Sequence, residues 1–167
     1  WGFNKDDHNW KDAEEIIHLL VKINSRGGNY LLNIGPEASG HVPEESIKIL
    51  DEVGKYVNEN EEAIFGTKRV GIYAYELDWG MLTRKDHKLY VHVFKPRRRV
   101  ELLNIGNRIT GAYLVADKRP LECETGATCE GCSSIEVEVP EEYFDRKNYS
   151  ICLEMEEEEP IFEPIIG

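Results

Sequence analysis

The apolar run from Tyr30 to Ile34 constrains most strongly what this chain can fold into. It reads Tyr-Leu-Leu-Asn-Ile, and it lies between the glycines Gly27 and Gly28 and the pair Gly35-Pro36. A short apolar run without alternation, bounded by turn residues, is typical of a strand buried on both faces, as in parallel sheets. Such a strand needs a hydrogen-bonded neighbour on each edge. The sequence therefore predicts a buried parallel strand with partners on both sides.

Helical patterns flank this run. From Trp10 to Ile23, apolar residues recur at spacings of three and four: Ala13, Ile16, Ile17, Leu20 and Ile23. Beyond a turn-rich loop over residues 35–41, Pro43 stands at the predicted first position of a second helix, which continues with Ile47, Leu50, Val53 and Val57. The order helix, strand, loop, helix indicates an α/β architecture, in which functional residues collect in loops beyond the carboxyl ends of strands.

Short β-type runs replace the helical pattern after residue 60. Alternation over residues 88–94 predicts one strand, and further strands are predicted over 100–103, 109–115, 135–139 and 149–155. Turns are predicted at Asn107-Arg108 and at Gly126. Strands at this spacing predict an antiparallel sandwich or a small barrel. We therefore predict a boundary near residues 66–72, which divides the chain into residues 1–67 and residues 68–167.

Length and charge limit what the chain can be. With 167 residues, the chain is too short for a complete (β/α)8 barrel of roughly 250 residues. It also begins with Trp1 rather than with methionine. We expect an upstream polypeptide to supply the missing strands. The net charge of -12 repels nucleic acid and anionic lipid, and no window approaches the roughly 20 apolar residues of a membrane helix. We therefore expect no nucleic-acid partner and no membrane partner.

Several runs match a known family: Trp1-Gly2-Phe3, AEEIIHLLV over residues 13–21 and SRGGNYLLNIGP over residues 25–36. They resemble the end of the catalytic barrel of α-L-fucosidases of glycoside hydrolase family twenty-nine. Residues 62–67 resemble the segment where that family leaves the barrel, and residues 89–94 resemble a strand of its C-terminal β-sandwich. The resemblance implies an α/β plus all-β fold, with the last elements of a (β/α)8-type barrel followed by an antiparallel β-sandwich.

The resemblance also implies an activity for the parent protein. It would be a retaining exo-glycosidase that removes terminal α-L-fucose from oligosaccharides or glycoconjugates without a cofactor or metal. Retention needs two carboxyl groups about 5–5.5 Å apart. In the family, both precede the tryptophan-glycine segment with which this chain begins, so we expect no catalytic residue in this chain and no activity of the chain alone. Its preferred linkage and its cellular compartment stay open.

Five residues are candidates for one wall of the substrate site. In the family an aromatic residue near Trp1 lines the fucose pocket, which makes Trp1 and Phe3 candidates for substrate binding; a barrel-core role is the alternative. Asn33, Gly35 and His41 belong to the loop at the barrel's C-terminal face. For Asn33 we favour a bond to nearby main chain over contact with substrate.

Two alternative functions stay open beside this one. A carbohydrate-binding module would need exposed aromatic residues on one sandwich face, and the candidates are Tyr73, Tyr75, Trp79, Tyr90 and Tyr113. A catalytically inactive interaction fragment would cover its open side by forming a homo-oligomer, because an unpaired strand edge invites association.

Other motifs favour structural roles. Cys129 and Cys132 have the Cys-x-x-Cys spacing, but with Cys123 and Cys152 they lack the second close pair of a structural zinc site, so we expect free thiols or a local disulfide. The histidines show no ligand spacing. Adjacent glutamates, as at residues 14–15, 44–45 and 61–62, diverge by about 100° around a helix and indicate solvated faces. The sequon at Asn148 is expected to occur by chance.

Overall fold

Two antiparallel sheets, three α-helices and one short 3-10 helix, over Glu141–Tyr143, are the regular elements of the part of the chain that the structure describes. The structure is a computed structural model, and it describes residues 2–71, 77–127 and 131–163. The helices are α1 (Ala13–Ser25), α2 (Glu44–Glu59) and α3 (Glu61–Ile64). The strands are β1 (Lys68–Arg69), β2 (Gly80–Lys85), β3 (Lys88–Val93), β4 (Arg99–Leu103), β5 (Ile109–Leu114), β6 (Cys123–Ala127), β7 (Ser133–Glu138) and β8 (Tyr149–Met155).

The strands form a sandwich. The larger sheet has the order β1-β2-β3-β8-β5 and the smaller sheet the order β4-β7-β6, with every pairing antiparallel. Inward-facing apolar residues of both sheets share one core, which includes Leu89, Val91 and Ile151 from the larger sheet and Leu102 and Ile135 from the smaller. The predicted antiparallel sandwich is confirmed.

The helices pack on the outer face of the larger sheet. Val21 of α1 and Tyr56 of α2 lie in a second apolar cluster, against which Met81 of β2 also packs. Helix α1 begins at Ala13 because the Asp12 carboxylate accepts a hydrogen bond from the Glu15 backbone N–H at 2.7 Å, which caps the first turn. The predicted helix from Trp10 therefore starts later than its apolar pattern suggested.

The outer-face packing explains why strand β3 is buried on both sides. Its residues Leu89, Val91 and Val93 face the sandwich core, while Tyr90 packs beside Ala63 from α3. The change from helices to strands falls between Ile64 and Lys68, an interval that overlaps the start of the predicted boundary region of residues 66–72. The division into two domains at that point stays a prediction.

Two sequence predictions are wrong for this chain. No strand forms over Tyr30–Ile34, where the side chain of Leu31 is 90% exposed. The reason is physical: a strand cannot pair its backbone groups alone, and the described residues offer this segment no neighbouring strand. Gly126 lies within β6, opposite Ser134 of β7, and not in a turn.

A fully buried polar network ties the helices to the larger sheet. Thr83 Oγ1 donates to the carbonyl of Ala63 at 2.9 Å, so the proton between Thr83 and His92 Nε2, 3.0 Å apart, comes from the imidazole. His92 Nδ1 then accepts from Ser150 Oγ at 3.0 Å. The Tyr56 hydroxyl lies 3.4 Å from both His92 Nδ1 and Ser150 Oγ. These bonds require a neutral imidazole, and burial lowers the pKa of His92 to about 4, against an opposing effect of the Ala63 carbonyl.

The depressed pKa of His92 predicts acid sensitivity. In the unfolded chain the imidazole has its ordinary pKa of 6.5, so between that value and about 4 the unfolded state binds the extra proton. The free energy of unfolding is expected to be unaffected by this group above pH 6.5 and to fall by about 3 kcal/mol as the pH drops towards 4. Urea unfolding at a series of pH values measures this loss.

A matched pair of variants tests whether His92 causes the acid sensitivity. His92→Gln is expected to reduce the pH dependence between 6.5 and 4, whereas His87→Gln, at an exposed position in the β2–β3 turn, is expected to retain it. Equal pH dependence of the wild type and His92→Gln would contradict this assignment.

Candidate functional site

The N-terminal segment packs tightly on Gly35, at the end of the apolar run. A Cβ atom built on Gly35 would lie 2.7 Å from the backbone nitrogen of Phe3 and 3.0 Å from the carbonyl carbon of Gly2. Only a residue without a side chain allows this approach. The contact fixes Phe3, which is 39% exposed, beside the loop that follows residues 30–34.

Phe3 and Asn4 form the ridge between two depressions of the surface. The smaller has a volume of about 120 Å³ and is bounded by Trp10 and Gly35; the larger and more open has a volume of about 490 Å³ and is bounded by Glu37 and residues 38–39 of the loop. The Phe3 ring and the Asn4 amide thus lie between Trp10 on one side and the loop that contains Glu37 on the other. Sequence reasoning had assigned Trp10 to a helix and did not identify Asn4 as a wall residue.

The loop after Gly35 closes on itself. The Glu37 backbone N–H donates to the carbonyl of His41 at 2.8 Å, and the Gly40 N–H donates to the carbonyl of Glu37 at 2.9 Å. The His41 N–H donates to Ser39 Oγ at 3.3 Å. These bonds hold residues 37–39 against the larger depression.

The structure brings together only some of the candidate site residues. Phe3 and Gly35 share the smaller depression. Asn33 and His41 are exposed, and neither lines either depression beside Phe3. Trp1 lies outside the described residues. Which of these residues meet a substrate stays a prediction.

A second polar cluster surrounds Glu62 on the outer face of the larger sheet. The carboxylate of Glu62 accepts from the Tyr113 hydroxyl at 2.9 Å and pairs with Lys118 at 2.6 Å, while Lys88 donates to the same hydroxyl at 2.8 Å. Partial burial opposes ionisation of Glu62, but the bonds from Lys118 and Tyr113 outweigh it and lower its pKa. Sequence reasoning missed this cluster because its members come from α3, β3, β5 and the turn after β5.

Two cysteines, Cys123 and Cys152, lie within strands of the sandwich. Cys152 is buried in β8, and burial raises the pKa of its thiol to about 11, although a hydrogen bond with Tyr113 opposes the shift. Cys123 lies in the smaller sheet, and burial raises its pKa as well. Cys129 lies outside the described residues. In the described ranges, no group of three or more histidine, cysteine or acidic side chains is arranged to hold a metal ion.

The aromatic residues considered for a carbohydrate-binding face do not form one together. Trp79 and Tyr90 are buried, and the ring of Tyr113 lies between the ammonium groups of Lys88 and Lys118, at 5.3 and 5.0 Å. Tyr73 and Tyr75 lie outside the described residues.

Two residues of the predicted sequon, Asn148 and Ser150, lie close to histidine side chains. The Asn148 side chain of the sequon is half-buried, with its Oδ1 2.9 Å from His18 Nε2, and Ser150 is buried in the His92 network. Among the described residues, no helix has both the length and the apolar character needed to cross a membrane.

Comparison with known proteins points to one family. Residues 1–62 match the family described as alpha-L-fucosidase. An alpha-L-fucosidase of Dictyostelium discoideum is 33% identical over 114 residues, which are 65% of this chain and 24% of that protein. The chain therefore spans about a quarter of the length of this curated relative.

Solved structures agree over nearly the whole chain. The crystal structure of an alpha-L-fucosidase from a Vibrio species superposes with a TM-score of 0.84 and 28% identity, covering 99% of this chain and 29% of that one. A Bacteroides thetaiotaomicron alpha-L-fucosidase of glycoside hydrolase family twenty-nine, solved as a trapped covalent intermediate with 2-fluoro-fucosyl fluoride, superposes with a TM-score of 0.80 and 26% identity, covering 93% and 35%. Residues 1–62 thus match the α-L-fucosidase family, and nearly the whole chain is similar in structure to α-L-fucosidases.

Proposed function

We propose that the protein carrying this chain is a retaining exo-α-L-fucosidase, and that the chain forms its C-terminal part. The observation that supports this most is the superposition on fucosidases across both the helices and the sandwich, with 99% of the chain covered in the Vibrio enzyme. The trapped covalent intermediate of the Bacteroides enzyme supports the retaining mechanism in particular. The substrates would be oligosaccharides or glycoconjugates that end in α-L-fucose.

The chemistry requires two carboxyl groups in two steps. A carboxylate attacks the anomeric carbon while a carboxylic acid protonates the departing oxygen, which breaks the glycosidic bond and leaves a glycosyl ester. In the second step the former acid, now a carboxylate, takes a proton from water. The water oxygen attacks the anomeric carbon, the enzyme carboxylate leaves, and fucose is released with its configuration retained. Both groups would come from polypeptide upstream of this chain, as the family resemblance implies.

The described carboxyl groups whose pKa departs clearly from its ordinary value lack the character of this general acid. A general acid of this kind needs a raised pKa. Four carboxyl groups of the described residues show a clear shift, and each is lowered: Glu62, Glu142, Glu157 and Glu163. The most enclosed of them, Glu62, is engaged by Tyr113 and Lys118, which keeps it ionised and unavailable as a proton donor.

The chain's own contribution would be one wall of the fucose pocket and closure of the barrel. Phe3 stands exposed on the ridge beside Gly35, and an aromatic face suits the apolar C–H face and methyl group of fucose. The apolar residues of Tyr30–Ile34 would be buried once neighbouring barrel strands pair with them. The upstream polypeptide is therefore the proposed partner of this surface.

The activity of the whole protein tests the proposal directly. Hydrolysis of an aryl α-L-fucoside, followed by proton NMR in the first minutes, is expected to release the α anomer of fucose before mutarotation. The 167 residues alone, verified by mass, are expected to show no turnover because both catalytic carboxyl groups are missing.

Three results would contradict this account. Release of the β anomer first would exclude retention, and turnover by the verified 167-residue chain would exclude an upstream origin of the carboxyl pair. Absence of fucoside hydrolysis by the whole protein would reject the proposed activity altogether.

A glycine pair tests the role of the Phe3 ridge. Gly35→Ala places a Cβ against the backbone of Phe3 and must displace it, so kcat/KM of the whole protein is expected to fall by about tenfold or more. Gly54→Ala, in helix α2, meets nothing within 4 Å and is expected to leave kcat/KM unchanged while stabilising the helix by about 0.5–1 kcal/mol. Unchanged kinetics in Gly35→Ala would remove Phe3 from the proposed site.

A further inference from the structure

A depression lined by cations lies between the C-terminal end of α1 and the edge of the larger sheet. Its volume is about 430 Å³. Its lining residues are Arg26, Gly27, Thr67, Lys68, Arg69 and Arg84. We name it the basic depression. Four of its six residues carry a positive charge, in a chain whose net charge is -12.

The strand register forces two of these charges together. In the pairing of β1 with β2, Lys68 stands directly opposite Arg84. Like charges at directly opposite positions of an antiparallel pair destabilise the sheet. The arrangement therefore has an electrostatic cost that an anion between the two strands would relieve.

The carboxylates of the described residues relieve this cost only in part. Arg84 donates to Glu159 at 2.7 Å, and that carboxylate is well exposed. Arg26 is the C-cap of α1, where the helix dipole favours a cation. Lys68 and Arg69 have no carboxylate within salt-bridge distance in the described ranges 2–71, 77–127 and 131–163. Both cations of β1 that line the depression thus lack a carboxylate partner among the described residues.

The walls of the basic depression are ordered by contacts that do not use its charges. The Arg69 side chain lies over Gly27, with its Cδ 3.7 Å from the position of a Cβ on that glycine. Gly27 has a φ of +79°, which disfavours any side chain at that position. Thr67 Oγ1 donates to the Ile64 carbonyl and accepts from Asn24, both at 3.0 Å. The Arg84 side chain is only 16% exposed, so its guanidinium is held in place.

We propose that the basic depression binds a tetrahedral oxyanion, either sulfate or phosphate, free or as a monoester. Guanidinium groups present a planar fork that matches the oxygens of such anions, and the lysine adds a point charge. The ligand would lie against Lys68 and Arg69, with Arg84 exchanging Glu159 for the anion. The site is distinct from the Phe3 ridge, because no residue that lines the basic depression lines either depression beside that ridge. The proposal does not depend on the proposed fucosidase activity.

The test is a titration of the whole protein with inorganic phosphate and with sulfate by isothermal titration calorimetry, at constant ionic strength set with chloride. Saturable binding of one anion per chain is expected. The double variant Lys68→Gln/Arg69→Gln is expected to weaken binding about tenfold or more, because charge-assisted hydrogen bonds are lost. Arg69→Gln alone is expected to weaken it in the same direction and provides the test if the double variant does not fold.

A charge-matched control separates a site from a general effect of net charge. Lys95→Gln/Arg108→Gln removes two exposed cations that pair with Asp78 and Glu156, away from the basic depression, and is expected to leave the affinity unchanged. Absence of saturable binding, equal affinity in the double variant, or equal weakening in the control would each overturn the proposal.

A second titration distinguishes a free ion from an ester. Competition by glucose 6-sulfate or glucose 6-phosphate against the inorganic ion would support a site that accepts the monoester of a sugar. Binding of the inorganic ions alone would support a site for the free oxyanion.

Discussion

The mostly apolar segment of residues 30–34, with which no described strand pairs, is the constraint that decides how this chain must be completed. Four of its five residues are apolar, and the side chain of Leu31 is almost fully exposed. No described strand pairs with this segment, so its backbone has no sheet partner and its apolar surface stays exposed; neighbouring strands would remove both liabilities together. The tight contact of Phe3 with Gly35 directly after this segment places the proposed substrate wall at the same end.

The larger sheet joins the sandwich to the helices. The larger sheet is buried on both faces, against the smaller sheet on one side and against α1, α2 and α3 on the other. The network around His92 joins Tyr56 of α2 to β2, β3 and β8 through bonds that are satisfied only with a neutral imidazole. This network couples the helices to the sandwich. Because it is buried, breaking one of its hydrogen bonds would leave a polar group without a partner and cost free energy.

The pattern of apolar residues predicted most strands of the sandwich. The contacts that form the candidate sites join residues far apart in the sequence, and the pattern did not predict them. Strands β3, β5 and β8 were found because their apolar residues pack on one core, whereas β6, which contains Gly126, has no such pattern and was missed. The family resemblance placed Phe3 and Gly35 near one site, but only the coordinates show their backbone contact. The basic depression depends on the register of β1 and β2, which composition and periodicity do not determine.

The central claim is that Tyr30–Ile34 becomes a paired strand when the upstream polypeptide is present. Amide hydrogen exchange of these residues, compared between the whole protein and the isolated 167 residues, tests it most directly. The account predicts slow exchange over this segment in the whole protein and fast exchange in the isolated chain, with β3 and β8 protected in both. Fast exchange of the segment in the whole protein would contradict it, because no neighbouring strand would then be paired with these residues.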